Sequence, residues 1–275
     1  MLIAQISDLH IKRQGKLAYG LVDTAACLRR CVKQLNALDP RPDAVLITGD
    51  LVDFGDAEEY TFLRGLLEPL AVPYYLCIGN HDGRDALREV FSDHAYLHQH
   101  PRFVQYVLDL APLRAIVMDT QDPPHGGGRL CDERLDWLEK TLADGAGRPT
   151  VVAMHHPPFV CGIEHMDVQN LAEPDATKLA AIVARHPEVE RVLCGHVHRA
   201  IQTRFAGTIA SICPSPAHQV ALDLRPRGPS RFIMEPPAFQ LHRYTEQDGL
   251  VTHTAYVGDF GGTHPFFDDN HALID

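Results

Sequence analysis

The sequence has little of several things that would point to a membrane or secreted protein. No stretch approaches the roughly 18 uninterrupted apolar residues of a membrane span. The N-terminus lacks a basic region, and polar residues Gln5, Ser7 and Asp8 interrupt its apolar run, so it does not resemble a secretory signal. These absences predict a soluble, cytoplasmic protein with no membrane association.

Positive charge is also scarce. Lys and Arg number 25 against 36 Asp and Glu, which gives a formal net charge of -11. Because affinity for duplex nucleic acid comes mainly from neutralising phosphates with Lys and Arg, this balance argues against a duplex-binding module. The 7 cysteines are an odd, scattered set and predict buried, reduced thiols. Cys27 and Cys31 have the spacing of half a metal site, but no second pair accompanies them.

What the chain of 275 residues does contain is an ordinary hydrophobic fraction, 45%, arranged in short runs between amphipathic segments. The runs are of strand length and rich in Val, Ile, Leu or Tyr, as buried strands are. Helical patterns lie between them, over Val22 to Leu38, after a capping Asp132, and over Lys178 to Arg185. Alternation of strand and helix predicts an α/β catalytic domain over residues 1–199. The predicted strands are Leu2 to Ile6, Ala44 to Thr48, Tyr74 to Ile78, Ala115 to Met118, Thr150 to Met154 and Arg191 to Cys194.

The pattern changes after Arg199. Pro and Gly crowd Pro214 to Pro237, and two alternating segments, Phe239 to Tyr244 and Leu250 to Tyr256, predict a β-hairpin. We therefore expect a small β-rich cap or dimerisation segment over 200–257, and a C-terminal tail over 258–275 that returns to the catalytic domain.

Five of the predicted strands are followed by Asp, His or Asn. In α/β sheets the carboxyl ends of the strands form the edge where ligands bind, so these side chains are expected to converge. Any one of these residues alone has an ordinary reading as a cap, turn or surface group, but their combination indicates a site. The residues are Asp8 and His10, Asp50, Asn80 and His81, His155 and His156, and His196 and His198.

The spacings suit two metal ions. Side chains two residues apart on an extended segment face the same way, so Asp8 with His10, and His196 with His198, can each offer two ligand atoms to one cleft. Asp50 could bridge two ions. His155 and His156 are adjacent and face opposite ways, so only one is expected to bind metal.

Taken together, these blocks resemble the signature of the calcineurin-like metallophosphoesterases, and more closely the group of class III cyclic-nucleotide phosphodiesterases and bacterial glycerophosphodiesterases. Further likeness lies in the segments RPDAVLITGD, MHHPP, AHQV and PFFDDN. The resemblance implies a four-layer αββα sandwich and two divalent ions, with Fe, Mn, Zn or Co all compatible with the donors. It implies one ion on Asp8, His10 and His198, a second on Asn80, His156 and His196, and Asp50 shared by both, with His155 in a supporting role.

The chemistry expected from this resemblance is hydrolysis of a phosphodiester by a metal-bound hydroxide, with Asp50 in the bridging position. His81 would protonate the leaving oxygen or stabilise the transition state, Asn80 and His218 would contact substrate, and Asp82 would orient a neighbouring imidazole. The cluster His94, His98 and His100 is expected to be a solvated loop.

The substrate expected first is a small glycerophosphodiester, because the likeness covers most of the chain. A 3′,5′-cyclic nucleotide such as cAMP is the alternative, followed by a phosphomonoester. A non-catalytic interaction module of the same fold is a further alternative, disfavoured because every ligand type is present. The resemblance also implies a homo-oligomer, a dimer or a dimer-based hexamer.

Overall fold

The computed structural model describes residues 1–274, and over that range the chain alternates short strands with helices. The helices are α1 Thr24–Ala37, α2 Ala57–Leu67, α3 Arg84–Val90, α4 Asp132–Asp144, α5 Glu164–Asp167 and α6 Asp175–Ala184, with a 3₁₀ helix at Ala95–His98. The strands are β1 Leu2–Ile6, β2 Ala44–Thr48, β3 Tyr74–Cys77, β4 Tyr106–Leu110, β5 Leu113–Val117, β6 Gln121–Asp122, β7 His125–Gly128, β8 Thr150–Ala153, β9 Val189–Cys194, β10 Ile201–Phe205, β11 Thr208–Ile212, β12 Gln219–Val220, β13 Phe232–Ile233, β14 Ala238–Thr245 and β15 Gly249–Tyr256.

The six apolar runs of the sequence are confirmed as β1, β2, β3, β5, β8 and β9, and the three helical patterns as α1, α4 and α6. One capping assignment was wrong. Asp132 is the first residue of α4 rather than its cap, which is Cys131, and the Asp132 carboxylate lies 2.7 Å from Lys178 Nζ. The cap of α1 is Asp23, whose side chain accepts a hydrogen bond from Ala26 N at 2.8 Å, so α1 begins two residues later than predicted.

The strands form two large sheets. The first has the order β15-β14-β1-β2-β3, with β1, β2 and β3 parallel to one another. The second has the order β10-β11-β9-β8-β5-β4, with β5, β8, β9 and β11 parallel. Because parallel neighbours end at the same edge, each sheet delivers the residues that follow its strands to one side of the molecule.

Alternation along the second sheet shows how the layers stack. Ala115 and Val117 of β5 pack in the core that contains β1 and β2, whereas Ile116 packs in a second core with residues of α4 and α6. Because successive side chains of a strand point to opposite faces, one face of this sheet meets the first sheet and the other meets helices. Residues of α1 and α2 complete the first core. The architecture is the predicted αββα sandwich.

The strands after residue 199 extend both large sheets. β10 and β11 form one end of the second sheet, and the hairpin β14-β15 is joined to the first, with Leu2 opposite Arg243 and Gln5 opposite Gln240. Within the described chain only the short pair β12-β13 stands apart from the large sheets in this region. The predicted hairpin is therefore present, but it lies in the catalytic sheet. The division of the chain at residues 199 and 257 and a dimerising role for 200–257 stay predictions.

The tail is exposed throughout residues 258–274. Its hydrogen bonds from residue 259 onward are local, such as Asp268 N to Ala272 O and Ile274 N to Phe266 O. Gly258, at the start of the tail, donates to Gln34 Oε1 of α1 at 3.2 Å, and the expected return of the tail to the catalytic domain stays a prediction. None of the helices over residues 1–274 has the length and apolar character needed to cross a membrane.

Because the hairpin β14-β15 is part of the first sheet, a substitution in its buried face should lower the stability of the whole domain. Phe239 of β14 is fully buried in the first core, so Phe239→Ala should lower the free energy of unfolding by about 3 to 5 kcal/mol. Val251→Ala on the exposed face of β15 is the matched control and should change it by less than about 0.5 kcal/mol. Urea denaturation followed by circular dichroism measures both. A separate early transition in Phe239→Ala, with the main transition unmoved, would contradict this assignment.

Candidate metal centre

The residues predicted from the strand ends do converge. Asp8 and His10 follow β1, Asp50 follows β2, and Asn80 and His81 follow β3, so all five come from the first sheet. The residues His155, His156, His196 and His198 follow β8 and β9 of the second sheet. The site therefore lies where the carboxyl edges of the two sheets meet, and each sheet supplies half of it.

The first group of ligand atoms comprises Asp8, His10 and His198. His10 Nε2 lies 3.1 Å from His198 Nε2, and His198 Nε2 lies 3.5 Å from Asp8 Oδ1. Each imidazole is oriented by its other nitrogen. His10 Nδ1 donates to Asp53 Oδ1 at 3.2 Å, and His198 Nδ1 donates to the His218 carbonyl at 3.1 Å. Such outer hydrogen bonds fix the tautomer that leaves Nε2 free to bind a metal.

The second group is centred on Asn80. Its Oδ1 lies 3.1 Å from His155 Nε2 and 3.1 Å from His196 Nδ1. His155 Nδ1 lies 2.9 Å from the Thr48 carbonyl and donates to it. Three donor atoms at this spacing can surround one cation, and an amide oxygen with two imidazoles is a donor set that first-row transition metals accept.

Asp50 lies between the two groups. Its Oδ2 is 3.6 Å from His10 Nε2 of the first group and 3.3 Å from His155 Nε2 of the second. Its Oδ1 accepts a hydrogen bond from His81 N at 3.0 Å. One carboxylate thus faces both groups, which is the position predicted for a bridging ligand.

His156 is the ligand that the resemblance implies at the second group, with His155 in support, and this assignment stays a prediction. A ring nitrogen of His156 lies within 4.8 Å of ligand atoms of His155 and His196. Its Nδ1 lies 2.7 Å from Thr120 Oγ1 and its Nε2 3.1 Å from the Gly126 carbonyl. Both nitrogens of His155 also have protein partners, in the Thr48 carbonyl and in Asn80 and Asp50. Both rings therefore lie at the second group of ligand atoms.

The residues fit divalent cations through the chemistry of their donors. In the neutral tautomers that donate from Nδ1, His10 and His198 turn both Nε2 lone pairs to one position, where the two atoms lie 3.1 Å apart. Asp8 Oδ2 is buried without a hydrogen-bond partner. Burial raises the pKa of Asp8 to about 6, and burial lowers the pKa of His198 to about 3. These buried acceptors require a cationic partner.

The pair Asp50 and His155 likewise shows that this centre requires positive charge. Burial disfavours both charged forms, yet the imidazoles of His155 and His81 outweigh it and hold the pKa of Asp50 well below its usual range. In return the Asp50 carboxylate raises the pKa of His155 to about 9, although burial acts in the opposite direction. The positive charge that the carboxylate requires is thus supplied by a proton on His155, at the place where a metal ion would supply it.

His81 and His218 lie beside these ligands. The His81 ring is 4.7 Å from the His10 ring, its Nδ1 donates to the Asp53 carbonyl at 2.9 Å, and its side chain is 36% exposed. The His218 ring packs 4.7 Å from the His198 ring and lines a cleft beside it. Both positions are compatible with the substrate contacts predicted for them, and those roles stay predictions.

Asp82 has a different role from the predicted one. Its carboxylate contacts no imidazole and accepts hydrogen bonds from Gly79 N at 2.7 Å, Leu51 N at 3.2 Å and the Tyr60 hydroxyl at 2.9 Å. It therefore ties the loop after β2 to the loop after β3.

Asp53 was missed by the sequence interpretation. Its carboxylate holds His10 and pairs with Lys12, and its carbonyl holds His81. Burial opposes its ionisation, but these partners lower the pKa of Asp53 to about 2. The sequence did contain a signal for Asp53, since it is an acidic residue three positions after Asp50, in a loop already assigned to the site.

The other histidine and cysteine candidates do not join the centre. Of the three histidines near residue 97, only His98 is exposed. His100 is buried and accepts hydrogen bonds from Arg102 N and Phe103 N. The prediction of a solvated loop is therefore wrong for His100 and correct for His98. Cys27 and Cys31 are buried in α1 as free thiols.

The backbone at the centre is strained. Five candidate ligands have positive φ, a region that costs residues other than glycine about 1 to 3 kcal/mol. They are Asp8 at 57°, His10 at 45°, Asp50 at 46°, His196 at 74° and His198 at 54°. Such strain persists where the surrounding fold imposes it and commonly marks a functional site.

Comparison with known proteins agrees with this geometry. The family model described as calcineurin-like phosphoesterase matches residues 1–200. A probable glycerophosphodiester phosphodiesterase of Arcobacter nitrofigilis is 42% identical over 275 residues, covering 100% of both chains. A probable cyclic nucleotide phosphodiesterase of Rhodopseudomonas palustris is 35% identical, covering 90% of this chain and 89% of its own. A dimetal phosphatase from Danio rerio superposes with a TM-score of 0.66 at 15% identity, covering 94% of this chain and 99% of its own, and supports the fold alone.

The assignment of His156 as a ligand, with His155 in support, predicts different outcomes for two adjacent substitutions. His156→Ala should bind one metal ion fewer than the wild type, because it removes a donor of the group His155, His156 and His196. His155→Ala should retain every ion, with affinity lowered by about 10- to 100-fold because it removes only support. Calorimetric titration with Mn²⁺ and elemental analysis measure both. Loss of an ion in His155→Ala but not in His156→Ala would make His155 the ligand instead.

Proposed function

The chain belongs to the calcineurin-like phosphoesterase family, and from that premise we propose that it hydrolyses small phosphodiesters of the glycerophosphodiester type at two divalent metal ions. The family and its phosphodiesterase relatives make the protein a metal-dependent phosphodiesterase. The more specific proposal, with two metal ions, rests on Asp50, because its single carboxylate faces two groups of ligand atoms.

The residues that would hold the ions form two groups. Asp8, His10 and His198 form one, Asn80, His156 and His196 form the other, and Asp50 belongs to both. When bound, two such ions polarise the phosphate oxygens and activate water as the nucleophile. The mixed oxygen and nitrogen donors accept Fe, Mn, Zn or Co and do not select among them.

Proton transfer is assigned to His81. Its Nδ1 proton is held by the Asp53 carbonyl, so a second proton on Nε2 can be given to the leaving alkoxide from the cleft side. The Asp53 carboxylate also lies beside this ring, with Oδ1 at 3.8 Å from His81 Nδ1. Asn80 suits the same centre because a neutral amide binds a cation without reducing the attraction for a phosphate.

The size of the cleft favours a small substrate. The space over the ligands is about 290 Å³, near the lower end of the range for small-molecule sites. Histidines 10, 198 and 218 form one side of it, and Gln169 and Arg231 lie among the other lining residues. We assign His218 to the substrate phosphate. An acidic protein with its positive charge confined to this cleft suits a small phosphodiester better than a polymer.

A 3′,5′-cyclic nucleotide is the second candidate. Tyr19 and Phe232 stack at 5.0 Å between ring centroids and both line the cleft. Aromatic side chains at this place can pack against a nucleobase. The relative from Rhodopseudomonas palustris, named as a probable cyclic nucleotide phosphodiesterase, supports keeping this alternative.

Assembly into a homo-oligomer is part of the proposal. Strand β15 is the edge of the first sheet, and its Val251 and Tyr256 are exposed. An unpaired edge with apolar side chains favours pairing with a second copy. In a dimer, or in a hexamer built from dimers, a second copy would pair with the free backbone groups of β15.

A substrate panel tests the proposed function. Protein stripped of metal and reloaded separately with Fe²⁺, Mn²⁺, Zn²⁺ or Co²⁺ should show its highest kcat/KM on glycerophosphodiesters, lower values on 3′,5′-cAMP and bis(p-nitrophenyl) phosphate, and the lowest on p-nitrophenyl phosphate. A preference for cAMP would favour the second candidate. Absence of turnover on every substrate after every loading would favour an interaction module of the same fold.

The role of His81 makes a separate prediction. His81→Ala should lower kcat by about 100- to 10,000-fold, because it removes the proton donor, while metal content stays at the wild-type value. The exposed His98→Ala is the matched control and should change neither quantity. Steady-state kinetics and elemental analysis on the same samples measure both, and an unchanged kcat in His81→Ala would remove this residue from the reaction.

A further inference from the structure

Strand β5 is the one of the six predicted strands that supplies no metal ligand. The residues that follow it are Asp119, Thr120 and Gln121, all three buried. They follow β5 of the second sheet, with Gln121 in the short strand β6, and Gln121 contacts the turn Gly79 to Asp82 that carries Asn80 and His81. What these residues contact shows how the two halves of the site are held in place.

The amide of Gln121 contacts both ends of this turn. Gln121 Nε2 donates to the Gly79 carbonyl at 3.0 Å and also to the Asp82 carbonyl. Gln121 is only 5% exposed, so water does not compete for these bonds. One donor group from the segment after β5 thus fixes the first and the last residue of the four-residue turn that follows β3.

Gln121 is itself rigidly held. Its backbone N donates to Asp119 Oδ1 at 3.0 Å, and its carbonyl accepts from Arg84 Nη2 at 3.0 Å. The Arg84 guanidinium also pairs with the fully buried Asp119 carboxylate at 2.8 and 2.9 Å. Because Arg84 follows the turn by two residues, the contacts form a closed ring that begins and ends at the turn.

The turn is held to the first sheet by other groups. Asp82 binds it to the loop after β2, and His81 N donates to Asp50. These contacts hold the turn to the loop after β2. Gln121 holds it from the other side, because its segment follows β5, and β5 pairs with β8, the strand that His155 follows.

We propose that Gln121 is a positioning residue that sets Asn80 and His81 against the ligands of the second sheet. This inference rests on the proposed function of the site. A displacement of about 1 Å at a reacting centre can cost about 100-fold in rate, and loss of an outer hydrogen bond typically costs 10- to 100-fold in metal affinity. The effect of losing Gln121 should lie in that range.

The test is Gln121→Met, which keeps the length of the side chain and removes the donor. We expect kcat to fall by about 10- to 100-fold with KM changed by less than about threefold, and the affinity for the more weakly bound Mn²⁺ to fall about 10-fold or more. Gln240→Met is the matched control, since Gln240 is 4% exposed and its amide also donates to a carbonyl, Ile212 O at 3.3 Å. The control should lose stability but neither kcat nor metal affinity. Wild-type kcat and affinity in Gln121→Met, or equal losses in both variants, would overturn the proposal.

Gln121→Asn is a second variant, and it keeps the polarity but withdraws the amide by about 1.5 Å, too far to reach both carbonyls. It should reproduce the loss of Mn²⁺ affinity, and normal affinity in it would count against the proposal. Calorimetry and hydrogen exchange need no turnover, so they test the inference even if the substrate assignment fails. Amide exchange over residues 76–84 should be faster in Gln121→Met than in wild type, and unchanged exchange would overturn the proposal.

Discussion

The carboxylate of Asp50 is the interaction on which the rest of the site depends. It is buried at the junction of the two sheets, within 3.6 Å of His10 from one ligand group and 3.3 Å of His155 from the other, and it also anchors His81 N. A buried carboxylate without partners would be strongly destabilising, so the surrounding groups must supply positive charge. That requirement explains why imidazoles from both sheets point at one position, and why the centre exists only when the sheets pack together.

The strained backbone at the ligands is a consequence of the same requirement. Sharp turns directly after β1, β2 and β9 bring ligand side chains inward, and the fold stabilises them through specific hydrogen bonds. Asp8 N donates to Gly49 O at 3.0 Å, and His196 N donates to Asp8 Oδ1 at 2.9 Å. Gly79 is required for close approach, since a Cβ there would lie 2.3 Å from Asp50 Oδ1. Packing of the sandwich therefore stabilises a geometry that the isolated loops would not adopt.

Much of this arrangement could be predicted from the sequence, and the failures have physical reasons. Apolar runs identified the strands, and the polar residues after them identified most of the centre, because local patterns encode both. Which of His155 and His156 binds metal depends on the face of β8 that meets the first sheet, and a run buried on both faces contains no signal for it, so that choice rests on the resemblance and stays a prediction. The sequence likewise predicted the hairpin but could not show that β14 pairs with β1. Pairing partners distant in sequence follow from the fold as a whole.

The outer contacts were the least predictable part, and they determine what the centre can bind. Asp53 and the His218 carbonyl face the Nδ1 atoms of His10 and His198, and rings that donate to them from Nδ1 turn Nε2 toward the cleft. Such outer acceptors fix ring orientation and tautomer for metal binding. The orientation of these metal ligands therefore resides in residues that need not touch the metal. Because one of these acceptors belongs to the loop after β2 and the other to the segment after β11, metal binding is coupled to the packing of the whole sandwich.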